Sequence, residues 1–198
     1  MPEHALAEAL THVGPWTEQD YLALPEDNRR IELLDGGLLM SPNPANPHQR
    51  LLTRLWRALD EAVPADLEVL HTVNVRVGPG KILIPDLAVI TTPGVDLIVN
   101  DARDVVLVVE ITSPGNVAFD RAVKPQLYAA AHIPHYVRIE LAERGPAARV
   151  FTLADDRYSE RRATELDELL VLTEPFAVTV DLAALAAATR PPLQDRYR

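Results

Sequence analysis

The alternation of apolar and polar positions along the chain predicts a succession of short elements. "TEQDYLAL" (17–24) predicts a short helix capped by Thr17, with Asp20 near its start and Pro25 as its stop. "RRIELLDGGLLMSP" (29–42) predicts two short strands around Asp35-Gly36, a strong hairpin signal. After the loop "SPNPANP", "HQRLLTRLWRALDEAV" (48–63) places Leu51, Leu52, Leu55, Trp56 and Leu59 on one helical face. Asn46 fits the cap and Pro47 the first turn of that helix.

"LEVLHTVNVRV" (67–77) and "KILIPDLAVI" (81–90) predict two strands joined by the turn "GPG". A polar, irregular stretch (91–104) leads to the apolar strand "VVLVVEIT" (105–112), which "SPGN" (113–116) breaks. Asp120 to His132 predicts a helix. "HYVRIEL", "ARVFTLA", a strand around Tyr158 and "FAVTVDL" predict an antiparallel meander. Ala183 to Ala188 predicts a short helix before the tail "RPPLQDRYR". No internal repeat or low-complexity segment interrupts this pattern. It predicts an α/β fold, a mixed sheet with helices packed on it, in one domain over 1–198 with its core at about 17–182.

Two acids do not fit. Glu110 stands in a seven-residue run, 105–111, that is otherwise apolar, and Asp86 follows Pro85 inside "KILIPDLAVI". An unpaired buried carboxylate costs several kcal/mol, about as much as the net stability of a domain. Two such acids on neighbouring strands repel and raise each other's pKa unless a cation stands between them. A hard divalent cation such as Mg²⁺ meets that need, since it takes one or two carboxylates and keeps waters for a phosphate. A salt bridge to arginine, or a position at a strand end open to solvent, would meet it too.

Composition narrows the choices. With 19 basic and 29 acidic residues the net charge is −10, which argues against a protein that coats DNA through many phosphate contacts. It leaves room for an enzyme that meets phosphate through a metal. The absence of cysteine excludes disulfides and thiolate metal sites. "MPEHALAEALTHVGP" has neither a basic start nor an uninterrupted apolar run, and no window predicts a membrane span, so a cytoplasmic location is expected. Lysine occurs only at Lys81 and Lys124, whereas arginine supplies the other 17 basic residues. Each lysine therefore invites an explanation.

The stretches "IELLDGGLLMSPNPANPHQRL", "IPDLAVI", "LVVEITSPGN" and "DRAVKPQLYAAAHIPHYVRIE" occur in an order that resembles the Uma2 (DUF820) family of restriction-endonuclease-like proteins, within the PD-(D/E)XK nuclease superfamily. The resemblance spans roughly residues 17–155. It implies a restriction-endonuclease-like mixed β-sheet core flanked by helices. It also implies Mg²⁺ or Mn²⁺ held by Asp86, Glu110 and the carbonyl of Ile111, and a supporting acid at Glu32. Glu32 could instead pair with Arg29 or Arg30.

The superfamily's usual lysine stands two residues after the glutamate, on the same strand face. This chain has Thr112 there. The resemblance implies that Lys124, on the following helix, takes over its role; a surface lysine paired with Asp120 is the other reading. Pro125 would remove the hydrogen bond to the Arg121 carbonyl in a helix begun at Asp120, so that helix should kink or restart near 124. His48 matches a family histidine and could orient a phosphate or water, though a plain surface histidine fits as well. Gln49 is a weaker candidate, and Tyr128 is expected to pack on the sheet. His132 stands where relatives have glycine, and a left-handed backbone is expected there. His71 and His135 read as structural.

The expected activity is metal-dependent hydrolysis of nucleic-acid phosphodiester bonds, DNA before RNA, by a homodimer with one site per strand. The alternative is a catalytically silent nuclease-fold module that binds nucleic acid or a partner protein. Glycoside hydrolysis by the carboxylate pair fits less well, because a 5% aromatic content offers few sugar platforms.

Overall fold

The structure, a computed structural model, describes residues 12–25, 30–112, 119–142, 145–164 and 168–187, with side chains left out at 119, 120 and 142. The expected break at 113–116, the tail 190–198, Arg29 and the side chain of Asp120 lie outside the described residues.

Helix α1 (Glu18–Leu22) is short because Thr17 and Asp20 fix its start: each caps the other's backbone N–H, and the Thr17 hydroxyl donates to the Asp20 carboxylate at 2.6 Å. The hairpin of β1 (Arg30–Leu34) and β2 (Gly37–Ser41) turns at Asp35 and Gly36, both with positive φ (48° and 84°). That is the geometry a two-residue hairpin loop demands. A Cβ at Gly36 would come within 2.7 Å of Pro15 Cβ, so glycine is required there twice over. Lys81 closes the same corner, its Nζ 2.5 Å from Asp35 Oδ1. Helix α2 (Asn46–Asp60) begins one residue early: Ala45 is the cap, and Asn46 is the first helical residue.

The two strands expected between 67 and 90 are four. β3 (Glu68–His71) and β4 (Asn74–Gly78) are separated at Thr72, whose φ is 57°; β5 (Lys81–Leu83) and β6 (Leu87–Ile90) are separated at Ile84-Pro85-Asp86. The breaks face each other, since the Thr72 amide donates to the Asp86 carbonyl at 3.1 Å. A single long hairpin thus bends as a unit. Pro85 lacks an N–H to give a ladder, which suits it to the bend rather than the interior of a strand. Asp86 therefore stands at a corner between strands, not inside one.

Strand β7 (Val99–Asp101) and a 3₁₀ turn (Ala102–Asp104) lead into β8 (Val105–Thr112). A π-helical turn (Phe119–Val123) then passes into α3 (Lys124–Ala130). The α-helix restarts at Lys124, with Pro125 in its first turn, where a missing N–H costs nothing. His132 ends it with φ 57°. β9 (His135–Ala142), β10 (Gly145–Ala154) and β11 (Arg157–Thr164) form an antiparallel meander. The segment "FAVTVDL" does not extend it. Its strand β13 (Val178–Val180) pairs with β12 (Leu170–Leu172) in a separate ribbon that buries Leu170, Leu172 and Val180 against the core, and α4 (Leu182–Ala186) follows.

The bend distributes the long hairpin between two sheets. One has the order β2-β1-β5-β4-β7 and the other β11-β10-β9-β8-β6-β3, with β8 and β9 parallel and the remaining neighbours of the second antiparallel. Side-chain alternation gives the second sheet two apolar faces. Leu87, Val89, Leu107, Val109, Val137 and Ile139 pack with Leu51, Leu55 and Leu59 of α2. Ala88, Ile90, Val108 and Tyr136 pack with Tyr128 of α3. This explains why the run 105–111 is apolar apart from Glu110: it is buried on both sides.

Leu55→Ala, at a residue 1% exposed, should lower unfolding stability by about 2–5 kcal/mol in urea titrations. His132→Gly should raise it by about 0.5–1 kcal/mol, because the left-handed cost for a residue with a Cβ outweighs the added chain entropy of glycine. Burial holds the half-buried His135 below its usual pKa, against a weaker opposing pull from Glu174. The folded state therefore binds fewer protons there than the unfolded state. The resulting stability is present above about pH 6.5 and is lost as pH falls through the depressed value. His135→Gln should flatten the stability profile between about pH 7.5 and pH 5.

Candidate active site

Strands β1, β8 and the β5–β6 corner meet where α2 begins and α3 restarts, and each contributes a polar side chain that the core excludes from water. Glu32, Asp86, Glu110, Lys124 and His48 are 2%, 1%, 3%, 3% and 4% exposed, so none is a surface residue. Two linked clusters result.

Lys124 joins the first. Its Nζ lies 2.9 Å from Glu32 Oε1 and 3.1 Å from Glu110 Oε1. Glu32 Oε1 also accepts the Ile84 amide at 2.7 Å, and Glu110 Oε1 accepts the Tyr128 hydroxyl at 2.7 Å. The surface-lysine reading of Lys124 is thereby overturned. The restart of the helix at Lys124 carries the ammonium inward, and Tyr128, one turn later, falls on the same face. Burial and the neighbouring Glu110 and Glu32 push the Tyr128 phenol well above its ordinary pKa, which keeps it a donor. It packs on the sheet as expected and has a polar task besides.

The second cluster surrounds Asp86. Its Oδ1 accepts from Arg30 Nη1 at 2.7 Å; its Oδ2 accepts from the Ile111 amide at 2.7 Å and lies 3.2 Å from His48 Nε2. Arg30 also donates to the Ile84 carbonyl. Burial alone would raise the Asp86 pKa, but the His48 hydrogen bond, the Arg30 charge and the Ile111 amide outweigh it and hold the acid below the usual carboxylate range. Burial likewise works against the Arg30 charge, and Asp86, Glu110 and Glu32 more than restore it, raising its pKa. The arginine salt bridge that sequence left open is realised at Asp86, while at Glu110 the compensating charge is a lysine.

Sequence reasoning overlooked Arg30 as a member of the site, naming it only as a partner for Glu32. The signal was present, since Arg30 and Glu32 are two apart on one strand and share a face. The Ile84 amide could not have been foreseen, because it depends on the pairing of β1 with β5. Thr112 is buried, with its hydroxyl 3.4 Å from the Ile139 carbonyl, and brings no charge to the strand end. Gln49 is exposed, and His71 sits edge-on to Trp56 at 6.1 Å, away from these clusters.

Among the described residues, no group of three or more His, Cys, Asp or Glu side chains forms a ready cation cage. The donor chemistry still suits a hard divalent cation, which takes one or two carboxylates and fills its shell with carbonyl and water oxygens. Two further observations fit that chemistry. Three buried carboxylates, Glu32, Asp86 and Glu110, gather around Arg30 and Lys124 among the described residues. His48, whose Nε2 meets Asp86, has its Nδ1 buried without a hydrogen-bond partner among the described residues.

Among the described residues, no helix is long and apolar enough to cross a membrane. No curated protein matches the chain. Among solved structures, it is similar to a putative nuclease belonging to DUF820 from Anabaena variabilis ATCC 29413. The TM-score is 0.69 at 15% identity, over 87% of this chain and all of that one, a likeness of fold. The model of the Uma2 family, described as a putative restriction endonuclease, matches residues 18–185, and with that span the chain belongs to the Uma2 family.

Proposed function

We propose that this chain is a metal-dependent endonuclease that hydrolyses phosphodiester bonds in nucleic acid, DNA in the first instance. The observation that carries the reading is Lys124, buried between Glu32 and Glu110 at 2.9 and 3.1 Å although it belongs to a different element from either acid. A structural salt bridge needs one carboxylate, whereas a site for phosphate chemistry needs a cation set among acids.

Asp86 and Glu110 are the residues that would hold Mg²⁺ or Mn²⁺. The Ile111 carbonyl suits a third ligand, because a strand residue's N–H and C=O point to the same edge and the Ile111 N–H is aimed at Asp86. Such a cation polarises a phosphate and lowers the pKa of an attacking water. The remaining work falls to the chain. Lys124 orients the water and stabilises negative charge on the phosphoryl oxygens, the part that Thr112 cannot play. Glu32 anchors Lys124 and can accept hydrogen bonds from waters. His48 Nδ1, buried without a partner among the described residues, is free to hydrogen-bond a water or a phosphate oxygen. Arg30 keeps Asp86 ionised and oriented. Duplex cleavage would need two copies of the chain, and β11, the edge strand of the six-stranded sheet among the described residues, offers a ladder for pairing.

One observation favours a second reading, a silent module. Asp86 already has three donors without any metal, namely Arg30, His48 and the Ile111 amide. Calorimetric titration with Mn²⁺ separates the two. Binding that is lost in Asp86→Ala and Glu110→Gln is expected, and no binding at millimolar Mn²⁺ supports the silent module. Supercoiled-plasmid cleavage in Mn²⁺ should fall by roughly 10²–10⁴-fold in Lys124→Ala. Nicking that survives undiminished in Asp86→Ala, Glu110→Gln and Lys124→Ala would sink the nuclease reading.

A further inference from the structure

The outer side of α3 carries a feature that the acid–lysine cluster does not use. Between α3 and the meander lies a groove of about 620 Å³, lined by Arg121, Arg138, Arg157, Phe151, Tyr158 and Asp156, among others. Three arginines line it with Asp156, and even with Glu140 paired to two of them they outnumber the acids, in a chain whose net charge is −10. Arg121 and Arg138 share Glu140, at 2.6 and 3.0 Å, and Arg138 also spreads its guanidinium over the Phe151 ring, 5.7 Å from the centroid. Tyr136 stacks on both Phe151 and Tyr158, with centroids at 5.5 and 5.4 Å. The Tyr158 hydroxyl donates to the Ile133 carbonyl at 2.9 Å.

The groove also lies beside the candidate active site. Arg138 on β9 is the register partner of Glu110 on β8. Lys124 and Pro125 are adjacent, one in the buried cluster and the other in the wall of the groove.

We propose that this groove binds an unpaired nucleotide of a nucleic-acid strand, with its base against the Phe151–Arg138 stack and its phosphates at Arg121 and Arg157. Volume and chemistry agree. The space falls within the range of small-ligand pockets, about 300–1,000 Å³. Aromatic rings and arginine planes are the platforms on which unstacked bases rest, and guanidinium forks match phosphate. A base within a duplex keeps its faces stacked and could not use such platforms. The substrate strand is thereby expected to be single-stranded or locally opened beside the cut. This substrate preference rests on the nuclease reading, but the binding it requires does not depend on metal.

The test is fluorescence anisotropy with labelled dT12 and with a 12-base-pair duplex, in EDTA and at low salt, so that a failure of metal binding or cleavage cannot mask the result. Wild type should bind dT12 at least five-fold more tightly than the duplex. Arg121→Glu with Arg157→Glu should weaken dT12 binding ten-fold or more. For each phosphate left without its arginine, the slope of log affinity against log salt should also become shallower by about 0.7. Arg103→Glu with Arg57→Glu, the same charge change at two exposed residues outside the groove, should stay within two-fold of wild type. Failure of wild type to bind dT12, equal binding of the duplex, or equal weakening in the groove and control variants would each overturn the proposal. Manganese binding by Asp86 and Glu110 would stand or fall independently.

Discussion

The ammonium of Lys124 between Glu32 and Glu110 is the interaction on which the centre of this molecule depends. An ion pair taken out of water gains little net stability, but removing one partner leaves a stranded charge and costs several kcal/mol. The three residues come from β1, β8 and α3, so the pair ties a strand of the five-stranded sheet to the six-stranded sheet and to the helix that covers it. Tyr128 and the Ile84 amide also donate to the carboxylates, which helps hold their side chains in place. A buried polar cluster satisfied in this way specifies geometry more than it adds stability.

The bend of the long hairpin sets the stage for that interaction. Had β3–β4 and β5–β6 run straight, Asp86 would alternate within a ladder and face either core or solvent. The facing breaks at Thr72 and Pro85-Asp86 instead free the Asp86 carboxylate to receive donors from three elements: Arg30 of β1, His48 of α2 and the Ile111 amide of β8. The corner thereby joins the two sheets covalently and electrostatically at one place.

Much of this was legible in the sequence because local rules and tertiary demands agreed. The Asp35-Gly36 hairpin, the Thr17 cap, the apolar face of α2 and the left-handed His132 each follow from a residue type at a spacing. Glu110 and the rare Lys124 meet, with the other misfit acid, Asp86, in the adjoining cluster, and Pro125 marked the restart of α3. What escaped depended on pairing between distant segments. Nothing local to "KILIPDLAVI" says that its middle belongs to neither sheet. "FAVTVDL" reads like another meander strand until its partner β12 is known. Arg30 was hidden by abundance: in a chain with 17 arginines, no single one draws the eye.

The placement of the cation on a helix has a consequence for how such proteins are found. When acid and lysine share one strand, the pleat fixes their spacing at two residues and a short text pattern detects the pair. Here they are 14 positions apart, and the distance in space is set by how α3 packs on the sheet. The motif has become a shape, written in three dimensions and silent in one. A chain that lacks the expected lysine beside its glutamate should therefore be judged by what the next helix points at the strand end.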